Sequence, residues 1–188
     1  YELGHLYLNK SDKIHAVTAF KLAQELNPEN PYYNNSLAYA YIKAELYDDA
    51  IEYYQLAIKL NPDAEWTSIV CHALGAIYAE IKNNFEAAEA TFNAGIVLDP
   101  NNVDIQLSLG DLYMAQNDLD RAIKTYCDAI AVEPENYLTY AKTGLALWEK
   151  DYLEESIVAF HKSIELNPNF EIAQNNLGVV YFDGIGDP

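Results

Sequence analysis

Leu26-Asn27-Pro28, Leu60-Asn61-Pro62, Leu98-Asp99-Pro100, Val132-Glu133-Pro134 and Leu166-Asn167-Pro168 punctuate this chain at steps of 34, 38, 34 and 34 residues. A fixed period of this length is the mark of a stacked solenoid, in which one unit cannot bury its apolar face alone. Proline at the end of each unit blocks a preceding helix, because it lacks an N–H and disfavours α geometry in the residue before it. Asn or Asp ahead of the proline suits a turn.

A second pattern keeps step with the first. Leu3-Gly4, Leu37-Ala38, Leu74-Gly75, Leu109-Gly110, Thr143-Gly144 and Leu177-Gly178 each precede an aromatic or Leu three residues on: Tyr7, Tyr41, Tyr78, Tyr113, Leu147 and Tyr181. Pairs four apart follow, namely Ala16/Phe20, Ala50/Tyr54, Ala88/Phe92, Ala122/Tyr126 and Ser156/Phe160. Both spacings place their members on one helical face. Each unit therefore reads as two helices, with a small residue where they approach and an aromatic ring filling the gap beside it.

These residues resemble the tetratricopeptide repeat family, whose unit reads W-x-x-L-G-x-x-Y, then A-x-x-x-F, then P. The resemblance covers nearly the whole chain. It departs at the first position, where Asn34, Cys71, Gln106, Tyr140 and Gln174 replace Trp. It implies an all-α fold, a right-handed α-solenoid of antiparallel helix pairs forming the superhelix of that family. The repeats are expected at 1–30 (lacking an opening), 31–64, 65–102, 103–136, 137–170 and 171–188 (a start only), within a single domain 1–188. The third is long. One extra residue is expected between its helices near Asn83-Asn84, and three around Glu65-Trp66-Thr67 should extend its first helix backwards. Trp66 is then expected either to cap a neighbouring groove or to lie exposed. The closing stretch Leu177–Gly186 also resembles the Sel-one-like repeats, although a Gly-rich helix stop before Asp187-Pro188 explains it as well.

Composition supports a folded chain, 51% hydrophobic and 21% charged, and no apolar run approaches the ~18 residues of a membrane span. With no starting Met, signal peptide or polar capping unit, the chain reads as a segment of a longer protein. Net charge is −18, densest at −5 over residues 103–136. Nucleic-acid binding is disfavoured, since phosphate contact needs Lys and Arg. A basic partner is permitted, with salt-sensitive association. The acidic residues equally serve to solvate an outer face.

Catalytic chemistry is not expected. His5, His15, His72, His161, Cys71 and Cys127 show no metal-ligand spacing, no phosphate loop is present, and no cofactor is implied. Asp48-Asp49 and Glu154-Glu155 read as helix starts, where the helix dipole favours negative charge.

In the family, first helices line a concave groove. Carried over position by position, the resemblance implies a peptide-binding set of His5 and Leu8; Asn35, Tyr39, Ile42 and Lys43; His72 and Glu80; Leu107, Asp111 and Met114; Leu145 and Trp148; and Asn175 and Phe182, with Asp183 beside them. The set lacks the Lys-and-Asn pattern resembling a co-chaperone carboxylate clamp. It suits a protein or peptide with apolar anchors and some basic residues, with Tyr39, Met114 and Trp148 as anchors. For each of these, packing against the next repeat is the competing role, most evenly matched at Leu107 and Leu145. Three functions remain open: an interaction scaffold, a recruiting or regulatory arm of a larger enzyme such as an O-linked sugar transferase, and a self-association module.

Overall fold

All secondary structure among the described residues is helical. The computed structural model describes residues 1–61 and 63–185, the last three by their backbone alone. First and second helices alternate: α1 (Glu2–Asn9) and α2 (Lys13–Leu26), α3 (Pro31–Lys43) and α4 (Tyr47–Leu60), α5 (Ala64–Ala76), which runs on into a π-helical turn (Ile77–Ile81), and α6 (Phe85–Leu98). A second series comprises α7 (Val103–Ala115) and α8 (Leu119–Val132), α9 (Tyr137–Glu149) and α10 (Leu153–Leu166), and α11 (Glu171–Ile185). The helix stop expected at Gly186–Pro188, the proline of Pro62 and the side chain of Asp183 lie outside the described residues.

Two compact units divide the chain at a point where the sequence shows no linker. The first spans Tyr1–Pro100 and the second begins at Asn101. The first has a core of Phe20, Leu37, Tyr41, Tyr54, Val70, Leu74 and Ile77. In the second, Phe160, Ala173, Leu177 and Val180 form a cluster against which Leu145 and Trp148 pack.

Within a pair, the helices are joined by three residues, a length that forces antiparallel neighbours. The middle residue of every such turn is left-handed, at φ 59° for Ser11, 64° for Glu45, 49° for Asn83, 58° for Asn117 and 62° for Asp151. None is glycine. The amide three residues after the end of the first helix closes the turn on the carbonyl of the L-G-x-x-Y aromatic. Asp12 N–H donates to Tyr7 at 2.9 Å, Leu46 to Tyr41 at 2.9 Å and Asp118 to Tyr113 at 2.9 Å. This is the Schellman arrangement, which satisfies carbonyls left over at a helix end. The recurring aromatic thus has two roles, a ring in the core and a backbone acceptor for the turn.

The small residue before it sets the distance between the helices. A Cβ on Gly110 would lie 2.2 Å from the Tyr126 ring, on Gly75 2.4 Å from Phe92, and on Gly4 2.7 Å from Phe20. Helix starts are also encoded locally. Asn30, Asp63, Asn102 and Asn136 cap the first helices, and Asp12, Asn84 and Asp118 cap second helices through side-chain oxygens. The two second helices with an apolar cap, at Leu46 and Tyr152, carry Asp48-Asp49 and Glu154-Glu155 in their first turns instead. Negative charge there replaces the missing side-chain cap.

Two features of the sequence reading take a different form. In two repeats the position that is Trp in the family holds an amide that clips the inter-repeat turn: Asn34 Nδ2 donates to the Pro28 carbonyl at 2.9 Å, and Gln174 Nε2 to the Pro168 carbonyl at 2.7 Å. In the long repeat, the extra residue expected near Asn83-Asn84 is taken up inside the helix as the π turn, closed by Lys82 N–H on Ile77 at 3.0 Å. The connecting turn keeps its three residues. The backward extension does occur, since α5 begins at Ala64. Of the two positions expected for Trp66, the exposed one does not occur, since the side chain is half-buried. It meets Tyr32 edge-on at 5.0 Å and packs against the core of the first unit.

Candidate functional site

The face of a first helix that does not enter the core is fixed by the same pattern that builds the core. Residues one and four or five positions after the small residue lie beside the core-facing stripe of the first helix. In the first unit this exposes His5 on α1 and Tyr39 and Lys43 on α3, with Leu8, Asn35 and Ile42 half-buried beside them. His5 rests edge-on against Phe20 at 4.9 Å, and the Lys43 ammonium stands over the Tyr39 ring at 4.9 Å. On the long first helix of the third repeat, His72 is half-buried next to Phe92 and Glu80 is exposed on the π turn.

His5, Leu8, Tyr39 and Lys43 come together around one cleft of about 430 Å³, along with Asn9, Ser11 and Lys13. Ser11 and Lys13 were missed by the sequence reading, because they belong to the turn and to the second helix. Lys13 pairs with Glu45 at 3.4 Å, both side chains being well exposed.

In the second unit the expected residues diverge. Leu107 is only 6% exposed and belongs to the interior, so it offers no groove contact. Asp111 is exposed but already engaged. It accepts the Tyr126 hydroxyl at 2.7 Å and the Lys142 ammonium at 2.7 Å, tying α7, α8 and α9 together. Burial, and then the charge of Asp111, push the Tyr126 phenol far above its ordinary pKa. Met114 is half-buried. Leu145 and Trp148 pack partly into the core, and Trp148 also opens onto a cleft of about 360 Å³ with Glu149, Asp151 and Leu153. Asn175 is exposed and Phe182 is 83% exposed on α11. A larger hollow of about 760 Å³ follows Glu133–Leu138 and contains none of the expected residues.

Lysines also join successive repeats. Lys82 meets Asp48 at 2.5 Å, and Lys150 meets Asp120. Among the described residues, no group of three or more His, Cys, Asp or Glu is placed to hold a metal ion. Cys71 is buried, which raises its thiol pKa, and Cys127 is exposed. No described helix is long and apolar enough to cross a membrane.

Family models of the tetratricopeptide repeat match residues 1–65, 76–137 and 139–170. The chain belongs to the tetratricopeptide repeat family. Among curated relatives, it is 28% identical over 198 residues to the peroxisomal targeting signal receptor of Candida albicans, a match covering 95% of this chain and 31% of the receptor. The chain thus spans about a third of that relative's length. Among solved structures, MamA superposes with a TM-score of 0.78 at 25% identity, covering 88% of this chain and 95% of MamA. The first TPR of Spaghetti (RPAP3), bound to the HSP90 peptide SRMEEVD, superposes with a TM-score of 0.60 at 21% identity, covering 63% of this chain and 94% of that one. The tetratricopeptide fold of these structures is the helix-pair architecture described above.

Proposed function

We propose that this chain is a non-catalytic interaction scaffold that binds segments of partner proteins on the exposed faces of its first helices. The observation that carries the reading is the cleft at Trp148. A large aromatic side chain, anchored in the core on one side, presents its other side to a cavity flanked by Glu149 and Asp151. Such a cavity suits an apolar anchor followed by Lys or Arg, and rigid aromatic side chains dominate binding energy at interfaces. Two similar proteins favour a peptide as partner: one is named as a receptor for a targeting signal, and the other is bound to a short peptide.

The test is affinity capture from native extract, comparing the unmodified chain with Trp148→Ala at low and moderate salt. A partner that binds the chain, is lost from the variant and weakens with salt supports a basic, apolar-anchored segment at this cleft. Identical capture by both proteins removes Trp148 from the binding surface.

A further inference from the structure

The cleft of the first unit has the opposite electrostatic character from the Trp148 cleft, although the chain as a whole carries −18. Its charged lining residues are Lys13 and Lys43, its neutral polar ones His5, Asn9 and Ser11, and its apolar ones Leu8 and Tyr39. Among the described residues, no carboxylate lines it. We propose that this cleft seats an acidic segment of a partner protein, an internal Asp or Glu side chain with an apolar neighbour. The carboxylate lies between the Lys13 and Lys43 ammonium groups, and the neighbour packs on Leu8 and Tyr39. The inference rests on the reading that first-helix faces bind partners, but it concerns a different unit and a different ligand charge.

Three observations support it. First, the volume of about 430 Å³ falls in the ~300–1,000 Å³ range of ligand clefts, which combine apolar walls with a few placed polar groups. Second, neither lysine is firmly engaged. Among the described residues, Lys43 meets the Tyr39 ring at 4.9 Å, and an exposed cation–π contact is weaker than a charge-assisted hydrogen bond to a carboxylate. Lys13 reaches Glu45 at 3.4 Å with both side chains half or more exposed, a pairing of small worth in water. Third, the two ammonium groups come from different elements, the first residue of α2 and the last of α3. The short α1–α2 turn and the end of α3 hold them on one cavity, and Glu45, just beyond α3, already meets Lys13.

The last point gives a test that does not depend on loss alone. The probe is an N-acetylated, C-amidated heptapeptide with a Phe-Glu-Glu centre, whose only carboxylates are side chains. Its Phe-Gln-Gln and Phe-Lys-Lys counterparts serve as controls. Binding is read by fluorescence anisotropy and localised by amide chemical-shift changes. The expected result is binding of the Glu peptide alone, weakened about tenfold or more by Lys13→Gln/Lys43→Gln and strengthened several-fold by Glu45→Gln, which removes the competing carboxylate. Trp148→Ala leaves this binding unchanged. Equal binding of the Glu and Gln peptides, preference for the Lys peptide, shifts outside α1–α3, or weakening by Glu45→Gln each overturn the proposal. Binding by a peptide with a free C-terminus but not by its amidated form overturns the internal-segment reading as well. Because the Trp148 cleft is read with a basic partner and a separate variant, either proposal can fail while the other stands.

Discussion

The Tyr126 hydroxyl lies in the interior of the second unit and donates to a carboxylate that also holds Lys142. Replacing it with Phe at neutral pH removes one hydrogen bond and costs about 1 kcal/mol. The alkaline limb tells more. The folded-state pKa of Tyr126 is raised, so its contribution is fully present below the unfolded value of about 10 and is lost as pH rises through the folded one. Denaturant titrations between pH 9 and 11.5 should therefore show a shallower fall in stability for Tyr126→Phe than for the parent, and an equal slope would contradict the burial of this phenol. On the acid side, the amide of His15 lowers the Asp12 pKa, and the side chain of Arg121 lowers that of Asp118. Their stabilisation is present above the unfolded carboxylate value near 4 and fades as pH falls below it. Glycines provide a contrast at this scale. Gly110→Ala drives a Cβ into Tyr126 and should cost about 1–3 kcal/mol. Gly178→Ala meets nothing within 4 Å and should gain up to about 1 kcal/mol from helix propensity. A shared sign for the two in urea unfolding would break the packing argument.

At the scale of elements, the left-handed turns are the clearest target. Glu45 holds φ 64° without the side chain that makes such a conformation inexpensive. Glu45→Gly should raise stability by about 1 kcal/mol, measured as an upward shift of the urea midpoint at unchanged slope. The proline triplets, the L-G-x-x-Y spacing and the A-x-x-x-F spacing made the helix pairs legible, because a small residue and a ring three or four positions apart share one helix face. What was not legible was how the long repeat stores its extra residue. Asn83-Asn84 looks like a turn by composition, yet the connecting turn is a closed hydrogen-bonded unit that keeps three residues, so the surplus moved into the helix. At the Trp position, Asn34 and Gln174 reach the proline turn through a hydrogen bond. Deleting Ala79 should convert the π turn to regular helix. Circular dichroism and thermal melting would show whether helicity and stability are kept, as expected, or lost.

Across the whole chain, the candidate surface was only partly readable. The positions carried over from the family's pattern include Tyr39, Lys43 and Trp148, each of which lines a cleft. That pattern could not reveal that Asp111 is engaged by Tyr126 and Lys142, because that depends on three helices meeting. It also missed Lys13, which arrives from outside the first-helix pattern. Division into two compact units predicts that damage stays local, as in other repeat arrays where stability is a sum over neighbouring units. In Gly110→Ala, hydrogen exchange of α7 and α8 amides should accelerate well before that of α3 and α4, and uniform acceleration would mean a single cooperative unit. The π turn has a consequence for how such a chain changes over generations. A codon gained inside the first helix of the third repeat is absorbed within one turn, and the next three proline triplets keep their 34-residue phase. Length variation in this array is thus a heritable change that one repeat can carry alone, without its neighbours having to change in step.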